Sequence, residues 1–316
     1  MYSLPSWGAL NHNQNSIKAL SKAYGFLLGQ EYSLRRIEKA YPALRIQVEA
    51  ARFTFGGSFS GVKEKLEQEL VQAVGESNFQ KLRGELEKKL AQLLSQQSLT
   101  VEIAKQFLVQ VKARAKGTEM EADVLRYLLA VKYAQTPVAE FLDGFRQRFG
   151  TDGTGKAQGI KLKLQLPQSW RAQEGERPHI VKKWTNEGGT GLSIVMLDIR
   201  DTQGQTPSSK EIEQFVKSGE ARQTFTDLGK VYDVGTFTVE RRTGYWGELS
   251  MVQQRAGFRM YQRGLLYQLF FRGKAIDVMC MAGATEREPQ KADAAASLIK
   301  PLCQQVLNSL VLEQAY

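Results

Sequence analysis

Apolar residues recur every three or four positions from about Ser16 to Phe149 and every second position from Ile160 onward. The first spacing lines one side of a helix and the second lines one face of a strand, so one architecture cannot satisfy both. The chain therefore reads as a helical domain at 1–149, a linker at 150–158 and an α+β domain at 159–316. A length of 316 residues suits two domains, and 42% hydrophobic content gives each enough apolar surface for a core.

In the first half Ile17, Leu20, Tyr24, Leu27 and Leu28 share a face, with Asn13 or Asn15 placed to cap. A seam of Leu34, Ile37, Leu44, Val48, Ala51 and Phe55 follows, bent near Pro42 and ended by Gly56–Gly57. Thr100 reads as an N-cap, and Thr136–Pro137 as the start of a last short helix anchored by Phe141 and Phe145. Helices with short connections predict a bundle.

The segment Gly150–Gly159 is rich in glycine and threonine and reads as a flexible linker. Beyond it, Ile160, Leu162, Leu164 and Leu166 alternate with polar residues, and Leu192–Ile199 is nearly all apolar, as in a strand covered on both faces. Ser208 and Glu211 form a capping box for a helix. Strands are predicted near Thr236–Arg242, Trp246–Gln253, Arg259–Phe271 and Lys274–Met281, with turns at Thr243–Gly244, Ala256–Gly257 and Arg272–Gly273. A helix from Pro289 to about Leu310 closes the chain.

Three stretches make this second half similar to the PsbP-like family. They are Leu166-Pro167-Gln168-Ser169-Trp170 after the opening strand, Gly244-Tyr245-Trp246 at the start of a meander, and the ending Val306-Leu307-Asn308-Ser309-Leu310. The resemblance covers residues 158–312 and implies an α/β/α sandwich with an antiparallel sheet. It also implies a non-enzymatic binding or assembly module, exported in bacteria, and it carries over no site residue. The helical half shows no such likeness.

Net charge is +10, with 21 basic against 15 acidic residues up to position 150 and 22 against 18 after it. That even spread suits weak attraction to anionic surfaces such as envelope lipids, not a nucleic-acid footprint. No apolar run reaches the roughly 18 residues of a membrane span. The start, Met-Tyr-Ser-Leu-Pro-Ser-Trp, lacks the charged and apolar regions of a signal peptide. The expectation is a periplasmic or secreted protein whose signal has been removed, with the cytoplasm as alternative.

Cys280 is expected at the end of the last strand and Cys303 in the closing helix. A disulfide between them would close a loop of about 22 residues and stabilise by roughly 3 kcal/mol. Two buried free thiols fit the count equally well.

The motifs that mimic chemistry each have a plainer reading. Gly150-Thr-Asp-Gly-Thr-Gly-Lys156-Ala157 approaches a phosphate-binding P-loop, but Ala157 stands where a hydroxyl must hold magnesium. A helix also precedes it and a strand follows, the reverse of a P-loop's setting. His12 and His179 are far apart, and the cysteines lack Cys-x-x-Cys spacing, so no metal or cofactor site is expected. Gly56-Gly57-Ser58-Phe59-Ser60 lacks the last glycine of a nucleophile elbow. Asp198 and Asp201 read as solvated acids at a strand end. The aromatic–basic run Phe258–Arg263, with Tyr267, Phe270 and Phe271, reads as sheet core rather than a stacking platform. Trp170, Trp184 and Trp246 read as core or rim.

No catalytic residue is expected. The leading expectation is a non-enzymatic binding or assembly module of a bacterial envelope, with a protein partner. The alternative is a small-molecule or lipid binder with a pocket between the two halves or under the closing helix.

Overall fold

The structure is a computed structural model that describes residues 10, 12–255 and 258–316. The chain forms two units, one running to Ala134 and the other from Gln135 to Tyr316. The first is all helix and the second is built on an antiparallel sheet, so the chain is α+β.

The helical unit contains α1 (Gln14–Ala40), α2 (Arg45–Phe59), α3 (Val62–Val74), α4 (Glu76–Gln96), α5 (Val101–Arg114) and α6 (Ala122–Lys132). Asn13 is the cap of α1, its side chain accepting from Asn15 N and Ser16 N, and Thr100 caps α5 through Ile103 N. At Pro42 the seam breaks rather than bends: α1 stops at Ala40 and a short 3-10 turn, Pro42–Leu44, leads into α2. Proline has no N–H to continue the helical ladder. The Gly56–Gly57 pair does not end α2, which continues to Phe59, and Gly61 at φ +69° makes the turn instead. Buried Val48, Ala51, Phe55 and Phe59 hold that face of α2 in the core and carry the helix through the glycines.

The sheet unit begins earlier than its sequence suggests. Its elements are α7 (Pro137–Leu142), β1 (Arg146–Gly150), β2 (Leu162–Pro167), β3 (Arg171–Glu174), β4 (Ile180–Thr185) and β5 (Ser193–Asp201). There follow α8 (Ser209–Lys217), α9 (Glu220–Thr226), β6 (Lys230–Val239), β7 (Arg242–Arg255), β8 (Phe258–Phe271) and β9 (Lys274–Thr285). The chain then closes with α10 (Pro289–Asn308) and β10 (Val311–Leu312). The main sheet runs β3-β4-β5-β9-β8-β7-β6, and a small sheet runs β1-β2-β10.

The expected linker at 150–158 is the tip of the β1–β2 hairpin, because Phe149 pairs with Leu164 and Gly150 with Lys163. Phe141, expected among the bundle helices, belongs to the sheet core, and both Glu140 carboxylate oxygens bind Ser169 at 2.6 Å. These bonds place the border near Gln135 rather than at the glycines.

One face of the main sheet presents Leu197, Leu265, Leu269, Ile276 and Val278 to Ile299, Leu302 and Val306 of α10 and to Leu164 of the small sheet. The other face packs Tyr245, Leu249 and Leu266 against Ile212 of α8 and Phe225 of α9. The turn expected at Thr243–Gly244 falls at Glu240–Arg241, whose φ angles are +52° and +57°. Gly244 is instead a strand residue paired with Phe237, where a Cβ would come within 2.4 Å of Gln268 O. Glycine is required there by a close neighbouring strand. The Ala256–Gly257 turn lies outside the described residues.

Candidate functional site

A cleft of about 320 Å³ opens on the α10 face of the sheet, lined by residues of β6, β7, β8, β9 and α10. Cross-strand pairing assembles its walls: Glu248 pairs with Leu265, Ser250 with Arg263, and Leu265 with Cys280. Directly paired residues point to the same face. The register of β6 on β7 jumps from Val231–Leu249 to Asp233–Glu248, leaving Tyr232 as the extra residue of a bulge. Such a bulge re-aims one side chain, and Tyr232 lines the cleft. From α10 come Asp293, Ser297 and Lys300, spaced along one stripe of the helix.

The charges converge on one carboxylate. Arg263 Nη2 donates to Glu248 Oε1 at 2.5 Å, and Lys300 Nζ donates to Glu248 Oε2 at 2.7 Å. The Arg263 guanidinium also lies 3.2 Å above the Tyr232 ring centroid. Burial works to raise the Glu248 carboxyl, but the hydrogen bonds from Lys300 and Arg263 hold it below its ordinary range. Tyr261 donates to Asp293 Oδ1 at 2.9 Å, and its phenol is pushed up to about 12, chiefly by burial. Tyr232 moves down, through side-chain hydrogen bonding to Ser250 first and Tyr261 second. Apolar Leu265, Ile299, Ala296 and the two thiols make the floor, and every one of these residues is at most 8% exposed.

A second polar row crosses the opposite face. Asp198 of β5 and Asp277 of β9 are direct cross-strand neighbours, and Gln268 of β8 pairs with Asp277. Gln268 Nε2 donates to Asp277 Oδ1 at 2.8 Å, Arg200 donates to Asp277 Oδ2, and Tyr245 donates to Gln268. Burial is the largest cause raising both carboxyls, with Arg200 opposing it, and Asp277 is pushed up to about 6.

Several readings of the sequence meet a different environment. Asp198 is 8% exposed rather than solvated, and His179 lies 3.6 Å from it. Asp201 is exposed, as expected, and bonds Lys274 at 2.6 Å. His12 binds Glu69 at 2.9 Å in the helical unit. In the P-loop mimic, Asp152 Oδ1 accepts from Thr154 N at 2.8 Å, and Lys156 donates to the Gly175 carbonyl. Cys280 and Cys303 are free, buried thiols, and both line the cleft. Trp170 and Trp184 are core residues, and Trp246 packs against the core partly buried. Sequence reasoning missed Tyr232, Glu248 and Lys300, and it read Arg263 only as part of a sheet-core run, whereas Arg263 lines the cleft; the alternation of β8 places Tyr261, Arg263 and Leu265 on one face but says nothing of what meets them.

No protein-family model matches the chain, and no curated protein matches it in sequence. Solved structures similar to it over its C-terminal half include the Ran-binding protein Mog1p of Saccharomyces cerevisiae. That match has a TM-score of 0.35 at 10% identity and covers 53% of this chain and 95% of that one. Another is LpqN of Mycobacterium tuberculosis, described as involved in cell envelope biogenesis. Its TM-score is 0.31 at 14% identity, over 56% of this chain and 96% of that one. These are likenesses of fold alone.

Proposed function

We propose that this chain is a non-enzymatic binding module whose sheet unit takes its ligand in the cleft beneath α10. One observation carries the reading: hydrogen-bonding groups converge in the cleft over an apolar floor, with its carboxylate Glu248 clamped by two cations. Glu248 is clamped by two cations and held low, which makes it a weak base. The Tyr261 phenol is pushed up, and burial pushes the Cys303 thiol well above its ordinary value. A pocket with an apolar floor and a few polar groups at its rim is what small-ligand recognition uses.

The test is a screen of small polar and amphiphilic compounds against the full chain, read by methyl NMR. Hits are expected to shift Ala296, Leu265 and Ile299 together; a screen whose hits all map elsewhere overturns the assignment. We further propose that the module works in the bacterial envelope, where a basic surface of net charge +10 meets anionic lipid. Fractionation of the native host tests this, and recovery in the cytoplasmic fraction would count against it.

A further inference from the structure

We infer that the ligand of this cleft carries an oxyanion head, a carboxylate or phosphate, on a short apolar tail. The inference rests on the cleft being the binding place and names the chemistry it would select.

The hydrogen-bond inventory points to the head. A guanidinium has five N–H donors in a planar fork and an ammonium has three. Arg263 commits one nitrogen, Nη2, to Glu248, and Lys300 is bound to the same carboxylate, whose two oxygens are thereby both engaged. Asp293 Oδ1 is taken by Tyr261. The two cations are matched in charge by Glu248 and Asp293, so an entering oxyanion gains its place by displacing Glu248 from Arg263 and Lys300. The Arg263 fork suits a carboxylate or phosphate, which can accept two parallel bonds. Its side chain is 15% exposed, so the attraction acts partly away from screening water.

The floor points to the tail. Leu265, Ile299 and the methyl of Ala296 lie below the charged rim with the Cys280 and Cys303 thiols, and none offers a strong donor or acceptor. A fully polar anion would leave this floor uncovered, whereas a neutral alkyl chain would gain nothing from the rim cations.

The arrangement has a distinctive consequence. Glu248 occupies the cations that the ligand needs, so it competes with the head group. Glu248→Gln removes that competitor and should tighten anion binding at least threefold. Arg263→Gln and Lys300→Gln should each weaken it at least tenfold.

Octanoate, octyl phosphate, octanol and octylamine would be titrated into the full chain, followed at the methyls of Ala296, Leu265 and Ile299. The inference expects octanoate or octyl phosphate to bind at least tenfold more tightly than the neutral and cationic chains. The preferred head distinguishes a carboxylate from a phosphate ligand. Octanol or octylamine binding at these methyls as tightly as the anions would overturn the inference while leaving the cleft as the binding place. Silence of all four, with library hits at the same methyls, would also overturn the inference alone; silence of every compound there removes both. Retained methyl dispersion in each variant shows that it is folded. A Glu248→Gln variant that binds octanoate more weakly also contradicts the competition.

Discussion

The Asp277 carboxyl is 2% exposed between Asp198 and Gln268 on neighbouring strands, and its proton is tied to folding. Burial pushes its pKa up to about 6 against the pull of Arg200, with Asp198 adding to the rise. An unfolded aspartate titrates near 3.9. The folded chain therefore holds this proton more tightly, so its stabilisation is full below about pH 4 and is lost as pH rises through 6. At about 1.4 kcal/mol per unit, the loss is on the order of 2–3 kcal/mol. Asp277→Asn stays neutral and should lack this decline. Urea midpoints between pH 4 and 7 check it; a parent and variant with parallel profiles would remove Asp277 as the cause. The signal was present in sequence as one acid in the otherwise apolar run 275–281. The partners Asp198 and Arg200 were not legible, because only strand pairing brings them together. For Cys280 and Cys303 we retain the disulfide as a proposal for oxidising conditions. The two thiols are buried in one core cluster, Cys280 on β9 and Cys303 on α10, and both line the cleft. Oxidised glutathione would accept their two electrons and two protons. Denaturation without reductant followed by alkylation should then leave both unlabelled; two labels per chain would end the idea.

Strands and helices were legible where one residue pattern ran long enough to set a face. The α8 capping box, the alternation opening at β2 and the long β8 and β9 strands all follow from such patterns. Short β3 was not legible: all four of its residues are exposed, so no alternation marks it, and it exists as an edge against β4. A pocket under the closing helix was one of two places the sequence offered, but its lining was illegible for a related reason, since it depends on the β6 bulge and on which α10 stripe faces β7 and β8. At this scale the most demanding contact is at Gly264 of β8. A Cβ there would sit 1.9 Å from the Cys280 carbonyl oxygen, a backbone atom that cannot swing aside. Gly264→Ala must therefore push β8 from β9 at the middle of the main sheet. Overpacking costs about 1–3 kcal/mol where side chains can adjust, and a backbone collision belongs at the upper end or beyond. Chemical denaturation should show a loss of at least about 2 kcal/mol, accompanied by shifts at the cleft methyls. A loss under about 0.5 kcal/mol would mean the strands are less closely fitted than this geometry requires.

For the molecule as a whole, the question is where the sheet unit begins. Composition drew the border at Gly150–Gly159 because glycine and threonine mark turns as readily as linkers, and a five-residue strand before them carries too little pattern to reveal itself. Packing draws it near Gln135. A fragment spanning 135–316 retains Phe141 in the core, the Glu140–Ser169 bonds and β1 on β2. A fragment spanning 159–316 loses all three. It leaves Ser169, which is 3% exposed, without its carboxylate partner and turns β2 into an open edge. Burying a Phe side chain contributes about 1.5–3 kcal/mol, and stranding a buried polar group costs a further 1–3 kcal/mol. That sum is comparable to much of the stability of an ordinary domain. The longer fragment should unfold cooperatively in urea with dispersed methyl signals. The shorter should aggregate through its exposed edge or unfold without a sharp transition. Equal midpoints for the two fragments would show that α7 and β1 are appended to the sheet unit rather than part of its core.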